Sequence, residues 1–379
     1  MLRAELDEAS VHPGGGWTVE VDGGSAALSV KSSKDGENGW LIEALLNEPL
    51  MRDLRSGPPA TEVRAEIINF MDVDGSAVRL GTRKRRGRVR CWVGDLELTI
   101  DPAPAYEDAR RLLNDEAFAL THVASVRRRS GAPITPGEFD EIEQRMFRAL
   151  SFAAGSYVGI GCAAGFANED VRCWERWTAG RVQAWGTRLP WLASRPAQDL
   201  ESFLPKFWAL LDSPAWAAAL PGVVGSLAEG MRDNSIDVRL PTLITGLELF
   251  LWTLLVSERQ LLNDSEFEGL KSAGALNLVL GLNGIPREVS SVLTELKAFA
   301  LKSFGGNGPR SLIAIRNRVV HPPSKNRERP QPSLVVEAWR LAVWYLELLV
   351  LHRCDYRGSH LTPWAKAVWD NEPVPWADG

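Results

Sequence analysis

The chain has 379 residues, 45% hydrophobic and 24% charged, values ordinary for a soluble globular protein, with room for two or three domains with buried cores. A net charge of −5 argues against non-specific coating of nucleic acid, so any contact with RNA has to be local. Cys91, Cys162, Cys173 and Cys354 show neither CxxC spacing nor a histidine at zinc-ligand spacing. A reduced protein is the simplest account, with no metal and no cofactor expected. Residues 1–20 carry acids and glycines without the apolar stretch of a signal peptide. The most hydrophobic run, 240–256, holds Pro241 and Glu248 and falls short of a comfortable bilayer span. It reads as a buried helix, and a cytoplasmic protein without membrane contact is expected.

In chain order, residues 17–21, 26–30 and 62–67 are short alternating runs broken by Gly and Asp, each of which fits a strand. Residues 88–93 and 96–100 flank Gly94-Asp95, the composition of a tight hairpin. Residues 106–120 look helical, and 121–128 fit another strand. Thr135-Pro136-Gly137-Glu138 then gives an N-cap Thr, a Pro at the first helical position and a Glu at the capping-box position. Phe139, Ile142, Met146 and Leu150 follow on one face of that helix, and 156–160 and 171–177 return to strand character. From Asp199 onward the pattern is helical, with helices over 200–211, 216–231, 240–262, 267–282, 287–304, 311–320 and 334–351, and a short one near 364–369.

Two N-terminal stretches invite a functional reading. The run 83–90 holds six basic residues in eight, around Gly87 and Val89, at the expected hairpin, where it could grip phosphates, meet an acidic trigger or simply stay solvated. In 168–177, carboxylates and arginines alternate with Trp174 and Trp177. Packing explains that string best, as a strand whose tryptophans face inward while its charges alternate outward.

The stretch with the most chemistry is 308–323. Leu312, Ile315 and Val319 recur at helical spacing, and Pro322-Pro323 stop the helix at or just before His321. The helix therefore buries its apolar stripe and presents Arg316, Asn317 and His321 away from it. Cutting RNA without a metal needs a base for the 2′-OH, an acid for the leaving 5′-oxygen and a cation for the phosphate charge. His can serve as base or acid, Arg offers a planar fork to phosphate, and Asn can orient the His or donate to the phosphate. One chain supplies one such His; a two-fold pair would supply one for each proton transfer.

Arg316-Asn317-x-x-x-His321, followed by Pro and set between helices, resembles the Arg-x-x-x-x-His motif of the HEPN superfamily. The layout is similar to ApeA-like abortive-infection proteins. The resemblance implies an α+β chain: a β-rich N-terminal domain over 1–185 that senses a trigger or positions substrate, an all-α HEPN-like bundle over 186–355, and a tail over 356–379. It implies a metal-independent endoribonuclease of anti-phage defence, a homodimer through the bundle, an RNA substrate (tRNA or mRNA), and a phage-derived trigger or an antitoxin as partner. Arg316, Asn317 and His321 would be catalytic. Glu248 would pair with Arg316 or stay on the surface, and Arg318, Lys325, Arg327 and Arg329 would hold RNA. The alternative is a non-catalytic module in which the same face binds a nucleotide or a partner protein. The chain contains no HExxH, GxSxG or P-loop pattern for another hydrolase.

Overall fold

The computed structural model describes residues 17–21, 24–36, 39–46, 50–54, 59–80, 83–104, 106, 109, 111, 113, 118–167, 171–178, 180–186, 190–192, 196–321, 328–367 and 370–377. The protein is α+β, with antiparallel sheet in the N-terminal half and helices after it. Its two compact units interleave in sequence. The first comprises Met1–Asn69, Asp95–Gln144 and Gly159–Val182; the second comprises Phe70–Gly94, Arg145–Val158 and Gln183–Gly379.

In the first unit, β1 (Trp17–Val21), β2 (Gly24–Gly36) and β3 (Gly39–Leu46) form an antiparallel three-stranded sheet. A further antiparallel run has the order β4-β11-β10-β5-β9-β8. These strands are β4 (Leu50–Asp53), β5 (Glu62–Ile68), β8 (Leu96–Pro102), β9 (Leu120–Arg128), β10 (Gly159–Ala167) and β11 (Val171–Trp177). Period-two alternation sends Val63, Ala65, Ile67, Leu98, Ile100, Ala124 and Val126 into the core. Phe139 enters the same core from helix α1 (Pro136–Ala154), its ring 6.1 Å from Trp174. The expected capping box is present: the Glu138 amide donates to Thr135 Oγ1 at 3.2 Å, and the Thr135 amide to Glu138 Oε2 at 2.8 Å. The expected strand at 156–160 starts later, at Gly159, because Gly155 (φ +58°) ends α1 in the left-handed conformation and Ser156 folds back onto Ser151 O.

Strand β11 departs from the expected alternation. Cys173, Trp174, Glu175 and Arg176 are all buried, while Trp177 is 36% exposed. Both faces of the strand are covered, and the buried charges meet counter-charges: Arg176 pairs with Glu143 and, at 3.0 Å, with Asp140 of α1, and Glu175 pairs with Arg52 and Arg172. Burial pushes the Glu143 carboxyl up, against the pull of Arg176. Glu62 shows the opposite balance. Partial burial opposes its charge, yet Arg64, Ser125 and Arg127 donate to it and hold it down at about 2.

In the second unit, β6 (Ser76–Leu80) pairs antiparallel with β7 (Arg83–Val93), and α2 (Ala197–Leu210) lies against β7. The basic run is therefore strand over its whole length, not the open end of a hairpin. The turn itself is at Gly94-Asp95, as the sequence suggests, with Gly94 at φ +63°. The helices that follow are α3 (Pro214–Met231), α4 (Ile236–Trp252), α5 (Asp264–Leu282), α6 (Thr294–Phe304), α7 (Gly308–Val320) and α8 (Pro332–Arg353). Helix α4 runs on as a π-helical turn over Thr253–Glu258. By length and hydropathy Ile236–Glu258 could cross a membrane, but 56% of its apolar window is buried within the protein, which fits a core helix. The expected helix at 287–304 starts only at Thr294. The preceding residues are tied to the loop before α7 (Val289 N to Gly306 O, 3.1 Å), and Glu337 caps Leu296 N at 2.7 Å. The tail forms a ribbon of β12 (Ser359–Leu361) and β13 (Asn371–Pro373), and the described part of the expected helix near 364–369, residues 364–367, is turn and bend between the two strands. Trp364 packs on Trp344 and Trp376 Nε1 donates to Tyr356 O at 2.7 Å, and these anchors hold the tail without helix.

Helix α8 is buried continuously from Leu341 to Leu351, including the carboxyl of Glu347. Glu347 Oε1 accepts from Trp191 N at 3.2 Å, while Oε2 has no partner among the described residues. Burial pushes this carboxyl well above the usual range. The folded state thus keeps a proton that the unfolded chain releases. This contribution favours folding most at acid pH and is lost as pH climbs from the ordinary carboxylate range toward the raised value. Glu347→Gln keeps an oxygen for the Trp191 amide and removes the titration. Its melting temperature should exceed that of the parent protein by a few degrees at about pH 8, with the gap closing toward about pH 5. Thermal melts at both pH values check this; a gap that does not change with pH would be the contrary result.

Candidate functional site

Helix α7 carries the motif, and its start is built from side chains. Asn307 is the N-cap, its Oδ1 accepting from Arg310 N at 2.9 Å, with Pro309 in the first turn. The same amide exchanges hydrogen bonds with Asn277 of α5, at 2.7 and 3.3 Å. Gly308 N donates to Arg287 O at 2.7 Å, and a Cβ on Gly308 would stand 2.5 Å from Tyr345 Oη, so only glycine fits. Leu312 and Ile315 are fully buried and Val319 is half-buried. The helix touches α4, α5, α6 and α8. Surrounded by four helices, it leaves less of itself in solvent than an amphipathic pattern alone suggests.

Its far end holds the polar triplet. Arg316 and Asn317 are half-buried, and Arg316 Nη1 donates to Asn317 Oδ1 at 3.1 Å. Arg316 Nε is buried without a hydrogen-bond partner among the described residues. A buried donor left unmade costs about 1–3 kcal/mol, so this guanidinium retains capacity for an anion. His321 is exposed and is the C-cap: its amide donates to Asn317 O at 3.2 Å while φ −99° and ψ 147° take it out of the helix. The stop falls where Pro322 demands it. Because His321 is extended, its ring does not sit one helical turn above Asn317, as a helix continued to His321 would place it.

The remaining expected site residues are arranged differently. Glu248 on α4 is half-buried and accepts from Ser272 Oγ of α5 at 2.5 Å; no ion pair with Arg316 is present among the described residues. The neutral hydroxyl satisfies the carboxylate and leaves Arg316 to Asn317. The Arg318 guanidinium lies over the Phe299 ring of α6, 5.0 Å from its centroid, a cation–π contact with its own bundle. Arg329 pairs with Asp237 at the start of α4. Lys325 and Arg327 lie outside the described residues. His352 packs against Trp376, and His360 is buried and accepts from Trp344 Nε1 at 3.1 Å, so these contacts hold both away from service beside His321. Burial pushes His360 down to about 4, which leaves it neutral.

Two family models match the chain. The YopA central domain covers residues 55–188 and the YopA C-terminal domain covers residues 213–372. The chain is also similar to the SPbeta prophage-derived uncharacterized protein YopA of Bacillus subtilis (strain 168), 23% identical over 350 residues, spanning 90% of this chain and 77% of that protein. No solved structure matches. The matched C-terminal region contains α7 and the motif; neither description names a HEPN domain, so that resemblance rests on the motif and its setting.

Sequence reading missed Asn277 and Asn307, which fix the start of the motif helix. Asn307 had a signal, since Asn-Gly-Pro before an apolar stripe is an N-cap pattern. Asn277, inside a leucine-rich helix, had none. Replacing Asn307 by Ala removes the cap and takes the Asn307 donor from Asn277 Oδ1, while Asn277 Nδ2 keeps Ala273 O, and should lower stability by about 1–3 kcal/mol. Urea unfolding of the variant checks this, and an unchanged midpoint would contradict it.

Proposed function

We propose that the C-terminal end of α7 is a metal-independent RNA-cleaving centre of HEPN type, assembled from two copies of the chain in the cytoplasm. The observation that carries this reading is Arg316: a half-buried guanidinium tied to Asn317, whose Nε has no hydrogen-bond partner among the described residues, on the helix that ends at the exposed His321. The 2′-OH of RNA attacks the adjacent phosphorus, its proton passing to one His321. The 5′-oxygen leaves with a proton from the second copy's imidazole, giving a 2′,3′-cyclic phosphate and a 5′-OH. Arg316 meets the charge that builds on the phosphate oxygens, and Asn317 holds the Arg316 fork. The prophage origin in the relative's printed name supports a role in phage-related conflict, as an abortive-infection effector whose trigger or antitoxin is a second partner.

The test is cleavage of total RNA by purified protein with EDTA present. His321→Ala and Arg316→Ala should each lower the rate by at least roughly 10²-fold, with Asn317→Ala affected less, and the fragments should end in cyclic phosphate. Equal degradation by parent and His321→Ala protein would sink the assignment. Absence of cleavage by both, with phage lysate added, would point to a module that binds a nucleotide or partner protein instead.

A further inference from the structure

Arg239, near the start of α4, is a half-buried cation that the proposed centre does not use. Its guanidinium lies on the Trp339 ring of α8, 3.9 Å from the centroid. Its Nε donates to Gly230 O at 3.1 Å, and Trp339 Nε1 donates to the same carbonyl at 2.8 Å. Gly230 is next to the last residue of α3, where a carbonyl has no partner within its own helix, and these two donors close that end. Capping accounts for Nε and for the indole. It leaves both Nη nitrogens without a hydrogen bond, and the charge without a carboxylate at ion-pair distance, among the described residues.

The nearby acids are held elsewhere. Asp237 of α4 pairs with Arg329, and Glu229 of α3 pairs with Arg232 at 3.5 Å. Asp233, exposed on the α3–α4 loop, is close enough for its field to be felt but forms no ion pair with Arg239. Burial therefore pulls Arg239 below the ordinary arginine range, with Asp233 opposing it. A half-buried cation without a counter-charge is costly until an anion completes it. The indole and the shared carbonyl hold its planar fork in one orientation, so the Nη edge is set in advance for phosphate oxygens.

The fold brings this fork to the end of the bundle that carries the motif. Arg329, just before α8, reaches Asp237 at the start of α4. Ser333 Oγ donates to Glu295 at 2.6 Å, and Glu337 accepts from Leu296 N at 2.7 Å, which ties the start of α8 to the start of α6. Arg318, in the last turn of α7, lies over Phe299 of α6. The starts of α4, α6 and α8 thus share one end of the bundle with the end of α7. Helices α4 and α7 also touch, and packed helix axes stand about 8–10 Å apart. A small anion would need only one guanidinium. Two of them at one end, Arg316 and Arg239, each with N–H groups lacking a partner among the described residues, suit a chain of phosphates.

We infer that Arg239, fixed by Trp339, is a second phosphate contact for the RNA strand, a few nucleotides from the bond cut at Arg316 and His321. The inference rests on the reading of the α7 end as an RNA site. Arg239 meets no reacting atom; it holds the strand in place.

Anisotropy of labelled oligo(U) with the full-length His321→Ala protein reads binding without cleavage. In that background Arg239→Gln should weaken binding several-fold at about 50 mM salt and lower the slope of log affinity against log salt by about 0.7, as expected for one phosphate. Arg239→Lys keeps a charge for the phosphate but loses the planar stack on Trp339, so it should restore the slope. A merely structural arginine would give the other pattern: lower melting temperatures for both variants and one slope for all three proteins. With His321 present, Arg239→Gln should raise KM several-fold and leave kcat unchanged. The inference is overturned if the Gln variant keeps the parent slope, if the Lys variant loses as much slope as Gln, if polyglutamate binds more tightly than RNA, or if no RNA binds. A slope that falls at Arg239 in a protein that cuts no RNA would uphold the contact and sink the cleavage reading. Normal cleavage with KM and slope unchanged at Arg239→Gln would do the opposite.

Discussion

Helix α8 has no solvent side between Leu341 and Leu351, and a helix apolar all round must be enclosed by others. Each Leu or Val buried there contributes about 1.5–3 kcal/mol relative to exposure. That gain draws α4 and α7 onto α8, and α3 and α6 touch it as well. The position of the motif follows from this. Helix α7 is laid against α8 by Leu312 and Ile315, and its start is fixed by Gly308 under Tyr345 of α8. Its C-terminal end carries Arg316, Asn317 and His321, and Arg316 Nε has no hydrogen-bond partner among the described residues.

Charge is handled in contrasting ways in the two units. In the first, the buried acids are neighbours of arginines: Glu62 with Arg64 and Arg127, Glu143 with Arg176, Glu175 with Arg52 and Arg172. Removing one member would leave a buried charge uncompensated, the costly case for such clusters. In the second unit no cation meets Glu347 among the described residues, and burial pushes its carboxyl well above the usual range. Glu62 and Glu347 are thus shifted in opposite directions, one with arginines donating to it and the other without.

Much of the fold was legible because period and punctuation are local. The β5, β8, β9 and β11 strands, the capping box of α1, the hairpin at Gly94 and the stop of α7 all rest on residues within a few positions of one another. The misreadings share a cause. The late start of α6, the buried charges of β11 and the tail ribbon depend on partners far along the chain: Glu337 for α6, the α1 acids for Arg176, Trp344 for Trp364. For the candidate site, sequence located the triplet and its helix end. It had no access to Ser272, which takes Glu248, or to Phe299, which takes Arg318.

The sequence by itself determined most of the helices and several strands, that α7 must end before Pro322, and that a polar Arg-Asn-His group sits at that end. These follow from steric rules and side-chain spacing that act over a single turn or strand. The tertiary structure alone decided which polar groups are already engaged: Arg329 with Asp237, Glu248 with Ser272, and Arg316 with Asn317 while its buried Nε has no partner among the described residues. Hydrogen bonds and burial between distant residues have no signature in local pattern, which is why the chemistry of the site emerges only once the helices have packed.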